Sequence, residues 1–310
     1  MGNVLRGLVT LAVLGAGAGW VLSAPDTLPD GVLDGITGDA ARGAAVFAVA
    51  GCASCHTAPE AAYSLTPVLA GGQRFVSDFG TFLAPNISPD PVRGIGAWTD
   101  AQIITAAMRG VTPDGTHLFP AFPYDSYAKA SPQDMADLVA FWRTLPAADT
   151  PSQPHEVSFP FSIRRAVGLW KLLFRSDGFV IQGDLTDEQT RGRYLVEALG
   201  HCTECHTPRN ALGGLSRGQW LAGAPNPSGE GRIPNITPGG LTWTEGQIAE
   251  FLKSGFTPDF DTAGGEMAEV VRNTAQLTDA DRAAIAAYLK IVPAIAVIPS
   301  GADPAPVAAE

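Results

Sequence analysis

Cys202-Thr203-Glu204-Cys205-His206 decides how this chain is read. The stretch has the form C-x-x-C-H, and the same form stands earlier as Cys52-Ala53-Ser54-Cys55-His56. Two thiols at this spacing reach two vinyl groups along one edge of a porphyrin and form thioethers. The next histidine then comes up under the ring as the proximal iron ligand. The pattern implies two covalently bound haem c groups. Cys52, Cys55 and His56 hold one; Cys202, Cys205 and His206 hold the other. Other uses of paired cysteines explain less. A redox dithiol needs no trailing histidine. A four-cysteine zinc site leaves both histidines without a role. Two disulfides would make the shared spacing a coincidence. The chain has 4 cysteines, and the two motifs use them all.

The 310 residues are enough for two modest domains. Hydrophobic residues at 45% and charged residues at 16% fit folded material. With 35 glycines and 25 prolines, loops make up much of the chain. That suits small haem domains, where the porphyrin supplies part of the core. The net charge of −11 argues against nucleic acid as a partner, because a phosphate binder needs a basic face. An acidic surface permits docking to a basic partner but serves solubility equally well.

Residues 1–24 read as a membrane anchor or a signal peptide. The 18 residues from Gly7 to Ala24 carry no charge, and Arg6 precedes them. Trp20 near the outer end suits an interfacial anchor, and Arg6 suits the positive-inside rule. Ala16 and Ala18 could instead form a cleavage site before Gly19. Either way the remainder is exported. The expected location is the inner membrane on its periplasmic side, or the soluble periplasm after cleavage.

Downstream, the chain repeats itself. Asp39 caps a helix running through Arg42, Val46 and Phe47 into the first motif. Thr99-Asp100 opens a second helix and Ser131-Pro132 a third. Thr186-Asp187 opens the helix that leads into the second motif. Pro85-Asn86-Ile87-Ser88 recurs as Pro234-Asn235-Ile236-Thr237, Trp98-Thr99 as Trp243-Thr244, and Thr112-Pro113-Asp114 as Thr257-Pro258-Asp259. Offsets of 145 to 150 throughout mean two copies of one unit. The expected domains are 25–148 and 184–293, with a disordered tail at 294–310. The linker 149–183 is proline-rich and holds one basic amphipathic segment, Ile163 to Arg175. That segment packs between the domains or meets the membrane surface.

Each unit reads helix, haem motif, loops, helix, ligand loop, helix. This order resembles the class I cytochrome c fold, in which the first and last helices cross. The fold class expected is mainly α: two tandem cytochrome c-like domains, loop-rich, behind an N-terminal membrane helix. The stretches APNISPDPVRGIGAWTDAQII, GTHLFPAFPYDSY, YLVEALGHCTECHTPRNALGG and EMAEVV are similar to the multi-haem cytochrome c subunits of membrane-bound bacterial alcohol and sugar-acid dehydrogenases. The resemblance spans residues 37 to 293. It implies a dehydrogenase as electron donor and a quinone, a cytochrome or an oxidase as acceptor. It also implies that Met267, in the loop before the last helix, is the sixth ligand of the second haem.

The same offset carries Met267 onto Phe122, in Pro120-Ala121-Phe122-Pro123-Tyr124, where relatives offer methionine. Phenylalanine cannot bind iron. His117 lies in the same loop and is expected to bind the first iron instead. Met135 and Met108 fall on helical apolar faces, and an open iron is the remaining option. Trp98, Trp243, Asn86 and Asn235 read as packing or ligand-orienting residues, Arg74 as a partner for a haem propionate, and His155 as a solvated linker residue. The leading function is an electron relay with no catalytic residue. The rival is a dihaem enzyme, peroxidase-like or thiosulfate-oxidising, working at an open haem in the first domain.

Overall fold

The computed structural model describes residues 2–227 and 231–296, so 297–310 of the expected disordered tail lie outside the described residues. The N-terminal α1 (Gly2–Leu22) buries none of its residues and is long and apolar enough to cross a membrane, with a mean hydropathy of 1.6. The first unit follows: α2 (Ala40–Val49), α3 (Cys52–His56), the hairpin β1 (Arg74–Ser77) with β2 (Gly80–Leu83), α4 (Asp100–Arg109), α5 (Tyr124–Tyr127) and α6 (Pro132–Trp142). A linker carries α7 (Arg164–Phe174). The second unit repeats the order: α8 (Asp187–Tyr194), α9 (Cys202–His206), the short pair β3 (Ala224–Pro225) and β4 (Arg232–Ile233), α10 (Glu245–Ser254), α11 (Glu266–Thr274) and α12 (Asp279–Ile291). The fold is mainly α, as the sequence leads one to expect.

Local signals fix the helix starts. Asp39 accepts from the Arg42 N–H at 2.9 Å and caps α2. Thr99, Thr186 and Thr244 each form a reciprocal box with the glutamine three residues on, opening α4, α8 and α10.

In each unit the first helix crosses the last. The crossings are close because a glycine sits at each contact. A Cβ on Gly43 would lie 1.9 Å from the Asp137 carbonyl oxygen on α6, and one on Gly192 would lie 1.9 Å from that of Ala284 on α12. In a free helix alanine beats glycine by about 1 kcal/mol. Here the backbone contact reverses the sign. Gly192→Ala is expected to destabilise the protein by about 2 kcal/mol, read by denaturant unfolding. A gain in stability would refute the close crossing.

The first crossing is pinned by a buried carboxylate. Asp137 accepts from the Asp39 N–H at 2.7 Å, from Arg42 Nε at 2.7 Å and Nη2 at 2.8 Å, and from Gln133 at 2.9 Å. Burial pushes its pKa up, but these donors outweigh it and hold the carboxyl below its usual range. A depressed pKa adds stability above the unfolded value, near about 4, that is lost as pH falls through the folded one. Asp137→Asn is therefore expected to flatten the acid limb of the stability profile. An unchanged slope below about pH 4 would count against this role.

The two units share one core. Leu69, Ile104, Met135, Val139 and Trp142 from the first join Leu195, Val196, Leu199, Ile285 and Tyr288 from the second. Glu197, fully buried in a π-helical turn (Leu195–Leu199), ties the linker to the second unit. Its carboxylate accepts from the Val180 N–H at 2.7 Å, from Trp220 Nε1 at 3.3 Å and from the Tyr288 hydroxyl.

The linker is more tightly held than its prolines suggest. Thr81 and Glu156 exchange backbone hydrogen bonds of 3.1 and 2.9 Å, laying the linker along β2. His155 is half-buried between Phe82 and Phe119, and its Nδ1 accepts from the Leu83 N–H at 3.1 Å, so it is not the solvated residue expected. Arg74 donates to Glu156 at 3.0 and 2.6 Å, and its fork is spent there. At the far end Ile295 is pinned through the Thr237 hydroxyl at 3.1 Å, two residues beyond the expected end of the second domain.

Candidate haem-binding sites

Helix α2 runs into Gly51, which takes the left-handed conformation (φ 66°) and starts the single turn α3. In the second unit His201 (φ 38°) plays this part before α9. Each turn sets two thiols and one imidazole side by side, and all four cysteines are free of disulfides. Burial pushes the Cys52 thiol up to about 12 and the Cys202 thiol up to about 11. Burial therefore keeps both as neutral thiols near pH 7.

The histidines are oriented from behind. His56 Nδ1–H donates to the Pro85 carbonyl at 2.9 Å, and His206 Nδ1–H to the Pro234 carbonyl at 2.8 Å. That fixes the tautomer and leaves Nε2 with a lone pair for iron. Burial lowers both imidazole pKa values, so both rings stay neutral near pH 7. The repeated P-N-I-S and P-N-I-T stretches thus act through a proline carbonyl, which sequence reasoning missed.

The asparagine of each repeat fixes the loop behind that carbonyl. Asn86 donates to the Ala148 and Thr150 carbonyls at 2.7 and 2.8 Å, and Asn235 donates to Ile295 at 2.8 Å. Both grip the chain leaving the last helix. Gly71 and Gly223 close the other side, their N–H groups donating to the His56 and His206 carbonyls at 2.7 Å. A haem c fits these residues: paired neutral thiols on one turn, and a neutral imidazole held with its outer nitrogen free.

Met267 stands in the first turn of α11 rather than in the loop expected, because the chain turns into a helix directly after Gly265, and it is half-buried against the shared core. His117 is placed differently from the expectation that it binds the first iron. It is buried, with Nε2–H donating to the Ser23 carbonyl at 2.9 Å and Nδ1 accepting from Lys171 Nζ at 3.2 Å. Both ring nitrogens are engaged, so neither is offered to a metal. Burial, helped by Lys171 and Arg165, lowers its pKa and keeps it neutral. Met108 and Met135 are buried in the core. Phe122 packs on Tyr127 with ring centroids 5.7 Å apart.

The segments beside the two motifs approach each other across the unit interface. Asn273 on α11 donates to the Ser54 hydroxyl, inside the first motif, at 3.0 Å. The ring of His201, next to the second motif, lies 3.2 Å from the Ala50 carbonyl and stacks edge-on against Tyr127. Burial raises the Cys55 thiol to about 11 and the Cys205 thiol to about 12, and the one Glu266 carboxylate adds to the rise in both. Sequence spacing gives no sign of this meeting, because it joins residues from opposite ends of the chain.

Two C-x-x-C-H turns, each below a crossing of first and last helices, define a tandem dihaem protein of the c type. The cytochrome c family model matches residues 40–146 and 189–292, and the chain belongs to that family. It is 55% identical over 293 residues to a "Diheme cytochrome c-type" protein of Cereibacter sphaeroides, covering 94% of this chain and 99% of that one. It is 40% identical over 261 residues to the "Fructose dehydrogenase cytochrome subunit" of Gluconobacter japonicus, covering 82% of this chain and 52% of the relative. The "Alcohol dehydrogenase (quinone), cytochrome c subunit" of Gluconacetobacter polyoxogenes is 37% identical over 276 residues, covering 82% and 56%. The chain spans about half the length of these two subunits. The cofactors are two covalently bound haem c groups.

Proposed function

We propose that the protein is an electron relay anchored on the periplasmic face of the inner membrane by α1. It takes electrons from a dehydrogenase and passes them to a quinone, a cytochrome or an oxidase. The haem supplies one-electron storage and transfer when bound. The protein's part is to hold, orient and juxtapose. The observation that supports the reading is the close approach of the two units beside their motifs, with Asn273 of α11 on Ser54 and His201 against the Ala50 carbonyl, which brings the two haem-binding segments near each other. The relatives that are dehydrogenase subunits favour a dehydrogenase as donor.

The test uses membranes from cells with and without the gene. Alcohols and sugars are added under anaerobic conditions, and the reduced c-type absorption is followed. Substrate-driven reduction of this protein, with loss of the matching oxygen uptake in the deletion strain, is the expected result. A protein that stays oxidised with every dehydrogenase substrate, yet turns over hydrogen peroxide, would instead be an enzyme.

A further inference from the structure

Helix α7 is inside out for a helix in water. Its charged Lys171 points inward, buried, and donates to the Arg109 and Gly110 carbonyls at 2.6 and 2.8 Å. Val167 and Gly168 lie on the same inner face. The outer face carries Leu169, Leu172 and Leu173, the last two 59% and 70% exposed. Phe159, 80% exposed, and Phe161 precede it on the linker. Exposed leucines grouped on one face of a helix, with two exposed phenylalanines close before it in the chain, mark a surface that something covers.

The neighbour of α7 says what covers it. Arg165 donates to the Trp20 carbonyl at 2.6 Å and to the Ser23 hydroxyl at 2.9 Å, with its guanidinium 4.3 Å from the Trp20 ring centroid. A Cβ on Gly168 would lie 2.4 Å from the Ser23 carbonyl oxygen, so the two segments touch backbone to backbone. Buried His117 and Lys171 complete the clamp. The 21 residues of α1 make a rod of about 31 Å, close to the roughly 30 Å of a bilayer's hydrocarbon core. Trp20 and Ser23 then fall at the outer interface, the depth that tryptophan prefers. Helix α7 is fastened at that depth.

We propose that α7 is a second membrane element, lying in the interface plane. Its outward leucines, with Phe159 and Phe161, enter the boundary between headgroups and acyl chains of the outer leaflet. Arg165 stands at headgroup level, where anionic phosphates attract it. The clamp fixes the tilt of the dihaem body over the membrane, so the haem units sit at a set height above it. This rests on the reading of α1 as an anchor, and the test separates the two.

The full chain, haem-loaded, is reconstituted in phosphatidylethanolamine–phosphatidylglycerol vesicles as Leu173→Cys, Leu14→Cys or Val92→Cys. The native cysteines are taken up by haem, so each variant has one free thiol. Val92, 81% exposed in a loop of the first unit, is the control. Leu173→Cys is expected to react with a charged maleimide about tenfold more slowly than Val92→Cys, as a side chain set into the interface does. Its peptide is also expected to take up label from a phosphatidylcholine carrying a diazirine on the acyl chain. A Leu173→Cys thiol that reacts like Val92→Cys overturns the proposal, even where Leu14→Cys is protected and the anchor reading stands. A thiol protected from maleimide but unlabelled by lipid overturns it in favour of a second copy of the chain. If α1 proves to be cleaved, Leu14→Cys is missing from the mature chain, and slow reaction with lipid labelling at Leu173→Cys still supports α7.

Discussion

Replacing Met267 with alanine is expected to turn the second haem high-spin and to lower its reduction potential by on the order of 0.1 V or more, since axial ligands set haem potentials over about 0.8 V. The proposal beneath this result is that the Met267 thioether binds the iron held by His206. A thioether donates weakly to ferric iron and so favours the reduced state. Removing it leaves one strong imidazole and an open or water-filled position. Met267 also packs against the shared core, so truncation alone disturbs the site. Met267→Leu separates the two effects, because it keeps the volume and removes only the sulfur. Both variants are expected to lose the red charge-transfer absorption of an iron–thioether bond, while the first haem keeps its spectrum. If Met267→Leu retains that band and the potential, Met267 is a packing residue and the ligand lies elsewhere. The first unit is the internal reference in the same titration, since its register places Phe122 where the second has Met267.

What the sequence makes legible is local. The two C-x-x-C-H motifs, the Thr-Asp pairs that open α4 and α8, and the 145 to 150 offsets are all readable along the chain, and each has its counterpart in the structure. What it hides depends on distant partners. The proline carbonyls that orient His56 and His206 lie about 29 residues from them, and nothing in an isolated proline announces an acceptor. Gly43 and Gly192 look like any helical glycine until the facing backbone is known. His117 reads as a ligand because it shares a loop with the expected methionine position. The neighbours that occupy its nitrogens, Ser23 and Lys171, stand 94 and 54 residues away. The amphipathic pattern of α7 is plain in the sequence, but its polarity is inverted. Periodicity gives two faces and cannot say which one turns inward. The buried Lys171 decides that only through the Arg109 and Gly110 carbonyls that receive it.

The first haem is expected to be the unusual one. With His117 engaged on both nitrogens and Phe122 at the register of Met267, neither the expected histidine nor the residue at the methionine position offers the first iron a sixth donor. The Phe122 ring lies against Tyr127, whose hydroxyl donates at 2.6 Å to Ala50, two residues before Cys52. Phe122 is thus one ring removed from the first motif, on the chain that would have to supply the ligand. Phe122→Met puts a flexible thioether there at little cost in volume. The oxidised wild type is expected to show one high-spin and one low-spin haem, and the reduced protein to bind one carbon monoxide quickly. In Phe122→Met the high-spin signal and the fast binding should both fall to a minor fraction, and the first potential should rise toward that of the second. His117→Ala is the companion variant. It removes the bonds to Ser23 and Lys171 and should loosen the clamp on α1, yet leave the haem spectra as they are. If His117→Ala instead creates a high-spin signal that the wild type lacks, His117 is the ligand after all. The two variants move different observables, so one EPR and carbon monoxide series assigns the first iron. It also weighs the enzyme reading, because a haem with an open face can bind a small oxidant where a six-coordinate relay cannot.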